Sequence, residues 1–510
     1  MSSQSAFTQP SPLDIPELLQ LIASYMGKRD IASCLRVSRV WYQAFLPPLW
    51  TRLELNLSKY DRSGPPLPER EKYWSLVQKM VVVFSGNFKM PSSRIKCQNL
   101  THLEIWDSYA NQYTPQGLPT NERSLGALIH GHRSSLRVFF SSANTTTRIL
   151  KALSGCPKLE TLKLNSQSFE RQDEWMEFYE PLWSRLQSLS WGGVITTGQR
   201  PTDMSAYTVA LISSVKATII KELYLDHLER WYSTHLDVLL ILKSPELKRL
   251  RWKTNSDMEV KLLVKLAKHL PFGKQLRDLR LCYVDLRDKE IQEMLDSFPK
   301  LTSLGIEGGV VDMELLGTLQ TGTHRFLTAI NVLGLEGCKE NSGQVVQTIL
   351  STMPSLQEFE SSYVRDQDIV KSGAQWVCIG LRKLRLAIVL SEEGTQDMIL
   401  DLLSSLVNLT SLDLHVDSAQ LDHENIIPKN GPVENYCLKL TLEHGLDRLK
   451  VLRRMVNFVG SGLMTMRPRW TVAEAQWVSK HWVHLKKITG VDATTEARKF
   501  LEKSVKYSYY

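Results

Sequence analysis

The sequence predicts an α/β fold, an N-terminal helical module followed by a curved solenoid with parallel strands on its concave face and helices on its convex face. Three observations lead there. A Leu-x-x-Leu-x-Leu pattern recurs in eleven copies between Leu100 and Leu414. Apolar residues at i, i+3 and i+4 fill the stretches between copies, as amphipathic helices require. A chain of 510 residues also exceeds what one compact core holds, so several domains or a repeat architecture is needed.

The first element is the stretch from Pro12 to Trp50, after a disordered N-terminus at 1–10. Asp14 caps a helix, Pro16 suits its first turn, and Ile15, Leu18, Leu19, Leu21 and Ile22 give it a broad apolar surface. Asp30 caps a second helix carrying Ile31, Cys34, Leu35, Val37, Val40, Trp41 and Phe45, which Pro47-Pro48 is expected to end. So few residues cannot bury that much Leu, Trp and Phe among themselves, so part of the surface needs cover from elsewhere. A helical cap sealing the first repeat of the array explains the hydrophobicity, and docking of a partner is compatible with it.

The order of residues adds to this. Ile15-Pro16-Glu17-Leu18, Asp30-Ile31, Cys34-Leu35-Arg36-Val37-Ser38-Arg39-Val40-Trp41 and Leu49-Trp50 resemble the F-box, placed here at residues 11–52. The resemblance implies docking to the Skp adaptor of cullin-RING ubiquitin ligases. It assigns that contact to Leu13, Ile15, Pro16, Leu18, Leu19 and Ile22, supported by Leu35, Val37 and Trp41. Ile15 and Ile31 stand where the family usually has Leu, which conserves volume.

Residues 53–98, with a Pro-rich loop at Asp61 to Arg70, read as a linker and N-terminal cap of the solenoid, and residues 99–490 as the solenoid with its C-terminal cap. Motif starts at Leu276, Leu301, Ile330, Leu356, Leu381 and Leu409 lie 25 to 29 apart, the long class of leucine-rich repeat in which strand alternates with helix. Helical spacing appears over 148–155, 236–243, 262–270, 291–298, 345–353 and 398–406. Pro157, Pro299 and Pro354 stop helices before the next strand. Insertions are expected at Tyr109 to Arg123, Thr196 to Asp203 and Asp417 to Asn435. Thr471 caps a helix whose Trp477, Trp482 and Leu485 cover the last repeats, and residues 491–510 form a tail that holds a short helix and then frays.

A net charge of +8 over this length is a mild bias, not a nucleic-acid signature. Seven dispersed cysteines without CxxC, no apolar run of membrane-spanning length and no secretory leader point to the cytoplasm or nucleus. His130/His132 and His481/His484 lack companions at metal-ligand spacing, and no HExxH, GxSxG, GxGxxG or phosphate-cradle motif occurs. The expectation is a non-enzyme without cofactor or metal.

Between the leucines of each strand lie the positions that face the concave side. Lys248, Arg249, Arg251 and Lys253 in one repeat and Arg277 and Arg280 in the next pool their charge there, with Arg382, Lys383 and Arg385 further on and acidic Glu358 and Glu360 between. Such a patch suits an acidic or phosphorylated client segment, or is a solvated face paired with its neighbours. The combined expectation is a substrate receptor of a Skp-cullin-F-box (SCF) ubiquitin ligase, the alternative a repeat scaffold that delivers no client.

Overall fold

The computed structural model describes residues 15–56, 72–84, 97–107, 122–169, 181–196, 218–226, 241, 243–253, 261, 264, 271–282, 288–307, 327–333, 342–389, 395–414, 446–457, 469–504 and 506–508. The chain forms two compact units, Met1–Pro245 and Glu246–Tyr510.

The first unit opens with three helices, α1 (Pro16–Tyr25), α2 (Lys28–Cys34) and α3 (Arg39–Thr51). Seven parallel strands follow among the described residues: β1 (Arg52–Asn56), β2 (Lys79–Phe84), β3 (His102–Asp107), β4 (Val138–Thr146), β5 (Thr161–Phe169), β6 (Ser188–Thr196) and β7 (Glu222–Asp226). Each pairs with its successor in chain order. Parallel neighbours need a crossover, and helices Glu122–Gly131 and Thr147–Ser154 supply two of them. The motif's apolar positions align across the sheet, as Leu103 with Phe139, then Leu162, Leu189 and Leu223, all buried.

The second unit continues the plan with β8 (Arg249–Lys253), β9 (Asp278–Cys282), β10 (Ser303–Glu307), β11 (Ala329–Leu333), β12 (Glu358–Arg365), β13 (Lys383–Val389), β14 (Ser411–Asp413) and β15 (Arg454–Val456). After β16 (Arg469–Trp470) come β17 (Lys487–Thr489), β18 (Asp492–Ala493) and β19 (Lys506–Ser508). The ladder runs from β8 to β15, then to β17 and β19, while β16 and β18 form a separate parallel pair. Helices Asp288–Ser297, Ser342–Thr352, Gln396–Ser404 and Val472–His481 fall where periodicity placed them or where Thr471 caps them. The expected helices at 236–243 and 262–270, and the three expected insertions, lie largely outside the described residues.

Five sequence expectations need correction. Asp14 and Asp30 are not the helix caps, since Ile15 is the N-cap of α1 and Gly27 that of α2, and the stretch expected as one helix to Phe45 is divided, Ser38 capping a separate α3. The array begins at Arg52, not 99: β1 and β2 pair in register from Arg52↔Lys79 to Asn56↔Val83, so the described strands within the expected linker and cap at 53–98 already belong to the sheet. The motif near 330 starts at Leu327, because Leu304 pairs with Ile330 and Ile306 with Val332. The tail does not simply fray, since helix Thr495–Ser504 leads into β19, which pairs with β17, and Trp482 and Leu485 lie within the array. Pro47 and Pro48 do not end α3, which runs to Thr51. Their fixed φ fits a helix, and the Thr51 hydroxyl donates to the Pro47 carbonyl at 2.8 Å in the last turn.

Two details hold repeats together. The Arg185 guanidinium donates to the carbonyls of Leu153 (3.1 Å) and Ser154 (2.8 Å), capping the C-terminus of the preceding helix. At Gly192 on β6 a β-carbon would overlap the Asn165 backbone on β5. Gly192→Ala is therefore expected to destabilise the unit by about 1–3 kcal/mol, read as a lower Tm in thermal unfolding; an unchanged Tm contradicts that packing.

Five described cysteines are free. Burial pushes the thiols of Cys97, Cys282 and Cys378 up to about 12 and that of Cys156 up to about 11. Below the unfolded thiol's value, about 8.5, both states are protonated and nothing is lost. As pH climbs from there toward 12 the unfolded chain ionises first, so stability falls. Native-state alkylation at pH 8 is expected to spare these four and to reach half-buried Cys34, with peptide mass spectrometry as the measure.

Candidate functional site

The three N-terminal helices share a small core of Leu19, Ala23, Ile31, Ala44 and Phe45, with Met26, Cys34, Leu35, Trp41 and Leu49 packed against it. Pro16 occupies the first turn of α1, where its missing N–H costs nothing. The Ser38 hydroxyl accepts from the Trp41 amide at 3.2 Å and caps α3. Trp41 then stacks on Phe45 with ring centroids 5.3 Å apart.

That core leaves an apolar surface uncovered. Ile15, Leu18, Leu21, Ile22 and Tyr25 are 39–85% exposed, and Val37 is 61% exposed. At about 100° per residue the five α1 residues span roughly a 120° arc, beside the arc from which Leu19 and Ala23 enter the core. Side chains of this size are normally covered when they cluster, so such a face marks an interaction surface.

Of the residues that the sequence assigned to this contact, Ile15, Leu18 and Ile22 lie on this arc, and Pro16 and Val37 are exposed as well. Leu19 is not, being fully buried, because it falls on the arc that faces the module's own core. Leu35 and Trp41 are partly buried against the same core. Leu13 lies outside the described residues. Leu21, Tyr25 and Val40 are exposed apolar residues absent from the assignment, although the i, i+4 spacing of Leu21 and Tyr25 was a legible signal.

Residues 16–56 match the F-box-like family. The N-terminal module is an F-box-like domain. No curated protein matches the chain. Among solved structures, a Bacteroides fragilis protein is similar at 13% identity over 51% of this chain and 66% of its own, with a TM-score of 0.29. A leucine-rich-repeat protein of Leptospira interrogans is similar at 14% identity over 71% of this chain and 90% of its own, with a TM-score of 0.27. The solenoid assignment itself rests on the strand register and motif period.

The F-box-like domain is joined to the array without a linker, for Thr51 ends α3 and Arg52 begins β1. Three contacts stiffen the junction. Lys28 Nζ donates to the Arg52 carbonyl at 2.9 Å, and Trp50 stacks on Tyr73 at 4.5 Å, a pair worth about 0.5–1.5 kcal/mol. Tyr42 on α3 hydrogen-bonds Tyr73, which raises the Tyr42 pKa.

The strand face of the second unit carries the expected cations, with a different electrostatic outcome at each cluster. Arg251 lies opposite Arg280 in register, and Arg249 opposite Asp278. Arg251 donates to Glu307 at 3.4 Å, an acidic partner two strands away. The Arg280 stem runs over Gly305, where a β-carbon would meet its Cγ at 2.8 Å. Lys248 and Arg277 are exposed at the mouths of their strands. In the later cluster two of the three cations are paired, Lys383 with Glu358 and Arg385 with Glu360, both at 2.5 Å, and Arg382 is exposed. Among the described residues no group of three His, Cys, Asp or Glu is arranged to hold a metal ion, and no helix is long and apolar enough to cross a membrane.

Proposed function

We propose that this chain is the substrate-recognition subunit of an SCF ubiquitin ligase. Its F-box-like domain docks the Skp adaptor, and through it the cullin, while the repeats hold a client protein. The observation that carries the reading is the uncovered apolar arc of Ile15, Leu18 and Ile22, together with exposed Val37, on a domain built continuously into a repeat array. The chain does no chemistry of its own and needs no cofactor; the ligase gains rate because adaptor and client are held by one chain, which raises their effective concentration. Affinity purification of the tagged chain is the test. Co-purification of adaptor and cullin, together with clients that accumulate when the gene is removed, supports it. Adaptor without accumulating clients leaves a scaffold, and neither overturns both.

On the client side, Lys248, Arg277 and Arg280 offer their charge to an acidic or phosphorylated segment, with Arg249, Arg251 and Lys253 beside them and Arg251 already paired with Glu307. Arg277→Glu with Arg280→Glu is expected to cut client recovery about tenfold, the loss of one or two charge-assisted contacts, while adaptor recovery stays constant. Unchanged client recovery removes this patch from the site.

A further inference from the structure

Four successive repeats, those of β13, β14, β15 and β17, differ from the repeats just before them at two positions on one edge. Each repeat enters its strand through a turn, and two residues before the motif's first apolar residue this turn exposes a side chain. At Leu276, Leu301 and Leu356 that residue is Lys274, Pro299 or Pro354. Ahead of Leu381, Leu409 and Leu485 it is Ile379, Val407 or Val483, and ahead of Leu452 the aliphatic residue is Val451, after Lys450. These four are 61%, 44%, 67% and 38% exposed respectively. The turns adjoin, for Asn408 Nδ2 donates to the Ile379 carbonyl at 2.9 Å.

The charge at the strand mouths rises at the same place: Thr302-Ser303, Thr328-Ala329 and Gln357-Glu358 hold no cation, whereas cations stand further back at Lys248-Arg249 and Arg277. The next four, Arg382-Lys383, Thr410-Ser411, Arg453-Arg454 and Lys486-Lys487, hold six cations and no carboxylate. They follow one another in space, with the amides of Thr410, Arg453 and Lys486 each donating at 2.8 Å to the carbonyl of the mouth before. Lys383 is occupied by Glu358 at 2.5 Å and Arg454 reaches Asp413 at 3.9 Å, but Arg382, Arg453, Lys486 and Lys487 have no carboxylate partner among the described residues.

We propose that this edge binds an acidic amphipathic helix of the client, an inference that rests on the receptor reading above. Parallel strands repeat at about 4.8 Å and helix turns at about 5.4 Å, so a helix laid across the repeats sets apolar residues at i, i+3/i+4 and i+7 against successive aliphatic side chains. Its flanking carboxylates meet the cationic mouths, three residues further along each repeat and at most about 10 Å away. Charge complementarity selects the acidic partner. A membrane fits less well, because these residues are β-branched and partly embedded in their own turns, whereas insertion uses Trp, Phe and Leu carried about 5–10 Å deep.

The test is photo-crosslinking in cells with p-benzoylphenylalanine in place of Val407 in the full chain. The expected product joins this position to a net-acidic segment with helical apolar spacing. Its yield falls at least about fivefold when Arg453→Glu, Lys486→Glu and Lys487→Glu are added, consistent with the loss of charge-assisted contacts. Adaptor co-purification stays constant in both. No crosslink, a crosslink to a second copy or to a segment without net negative charge, or a yield indifferent to charge reversal overturns the proposal. So does charge-dependent co-sedimentation with 3:1 phosphatidylcholine–phosphatidylserine vesicles that accounts for the contact. Adaptor retained without a crosslink removes only this edge, whereas adaptor absent from the wild type strikes the receptor reading itself.

Discussion

With Leu18, Ile22 and Val37 all replaced by aspartate, the chain is expected to keep its helical content and its Tm to within about 2 °C, while its affinity for the Skp adaptor falls at least about 100-fold. All three are well exposed, at 41%, 39% and 61%, so the fold loses little when they change. On docking, each aliphatic side chain contributes about 1 kcal/mol or more when it leaves water, and a carboxylate in its place must be desolvated against an apolar partner. Three such changes exceed the roughly 2.8 kcal/mol that 100-fold requires. Calorimetric titration of purified adaptor is the measure. An unaltered affinity places the adaptor elsewhere.

Phe45→Ala is expected to act in the opposite manner, destabilising the F-box-like domain by about 3–5 kcal/mol. Phe45 is fully buried, packs among Leu19, Ala23, Ile31 and Ala44, and carries the Trp41 ring. A core of so few residues has little with which to compensate. Hydrogen exchange is then expected to accelerate through α1–α3 and to stay slow in the strands of the second unit. Adaptor affinity drops with the folded fraction and recovers in part on cooling. A variant that loses adaptor binding while α1–α3 remains protected would contradict this division between core and face.

The contrast between these variants marks where sequence reading reached its limit. Apolar spacing and the Pro-Glu and Val-Ser-Arg-x-Trp details located the N-terminal module, but the helix-face assignment of Leu19 depends on where α3 packs, which spacing alone does not fix. In the array, leucine made the pattern legible from Leu100 onward; at β2 the same inward positions hold Met80 and Val82, behind a Pro-rich loop, and the repeat passed unnoticed. At 327–333 a chance Ile330-x-x-Leu333 mimicked the motif three residues late, and only the pairing of Leu304 with Ile330 corrects it. The ion pairs are the clearest case. Glu358 and Lys383, like Glu360 and Arg385, are separated by one repeat, so their meeting is a consequence of register and becomes visible only when the strands lie side by side.

The junction bears on how the proposed ligase works. Because α3 passes into β1 at Thr51–Arg52 and Trp50 stacks on Tyr73, the exposed apolar arc is tied directly to the first repeats within the first unit. The core and junction of these helices close the start of the array, and their exposed apolar arc is left over for the proposed docking.

Hydrogen exchange of the full chain with and without saturating Skp adaptor tests the central claim most directly. The account predicts new protection over residues 15–25 and around Val37, with the strand face of the second unit unchanged. Unaltered exchange over 15–25, or protection confined to the strands, would contradict it.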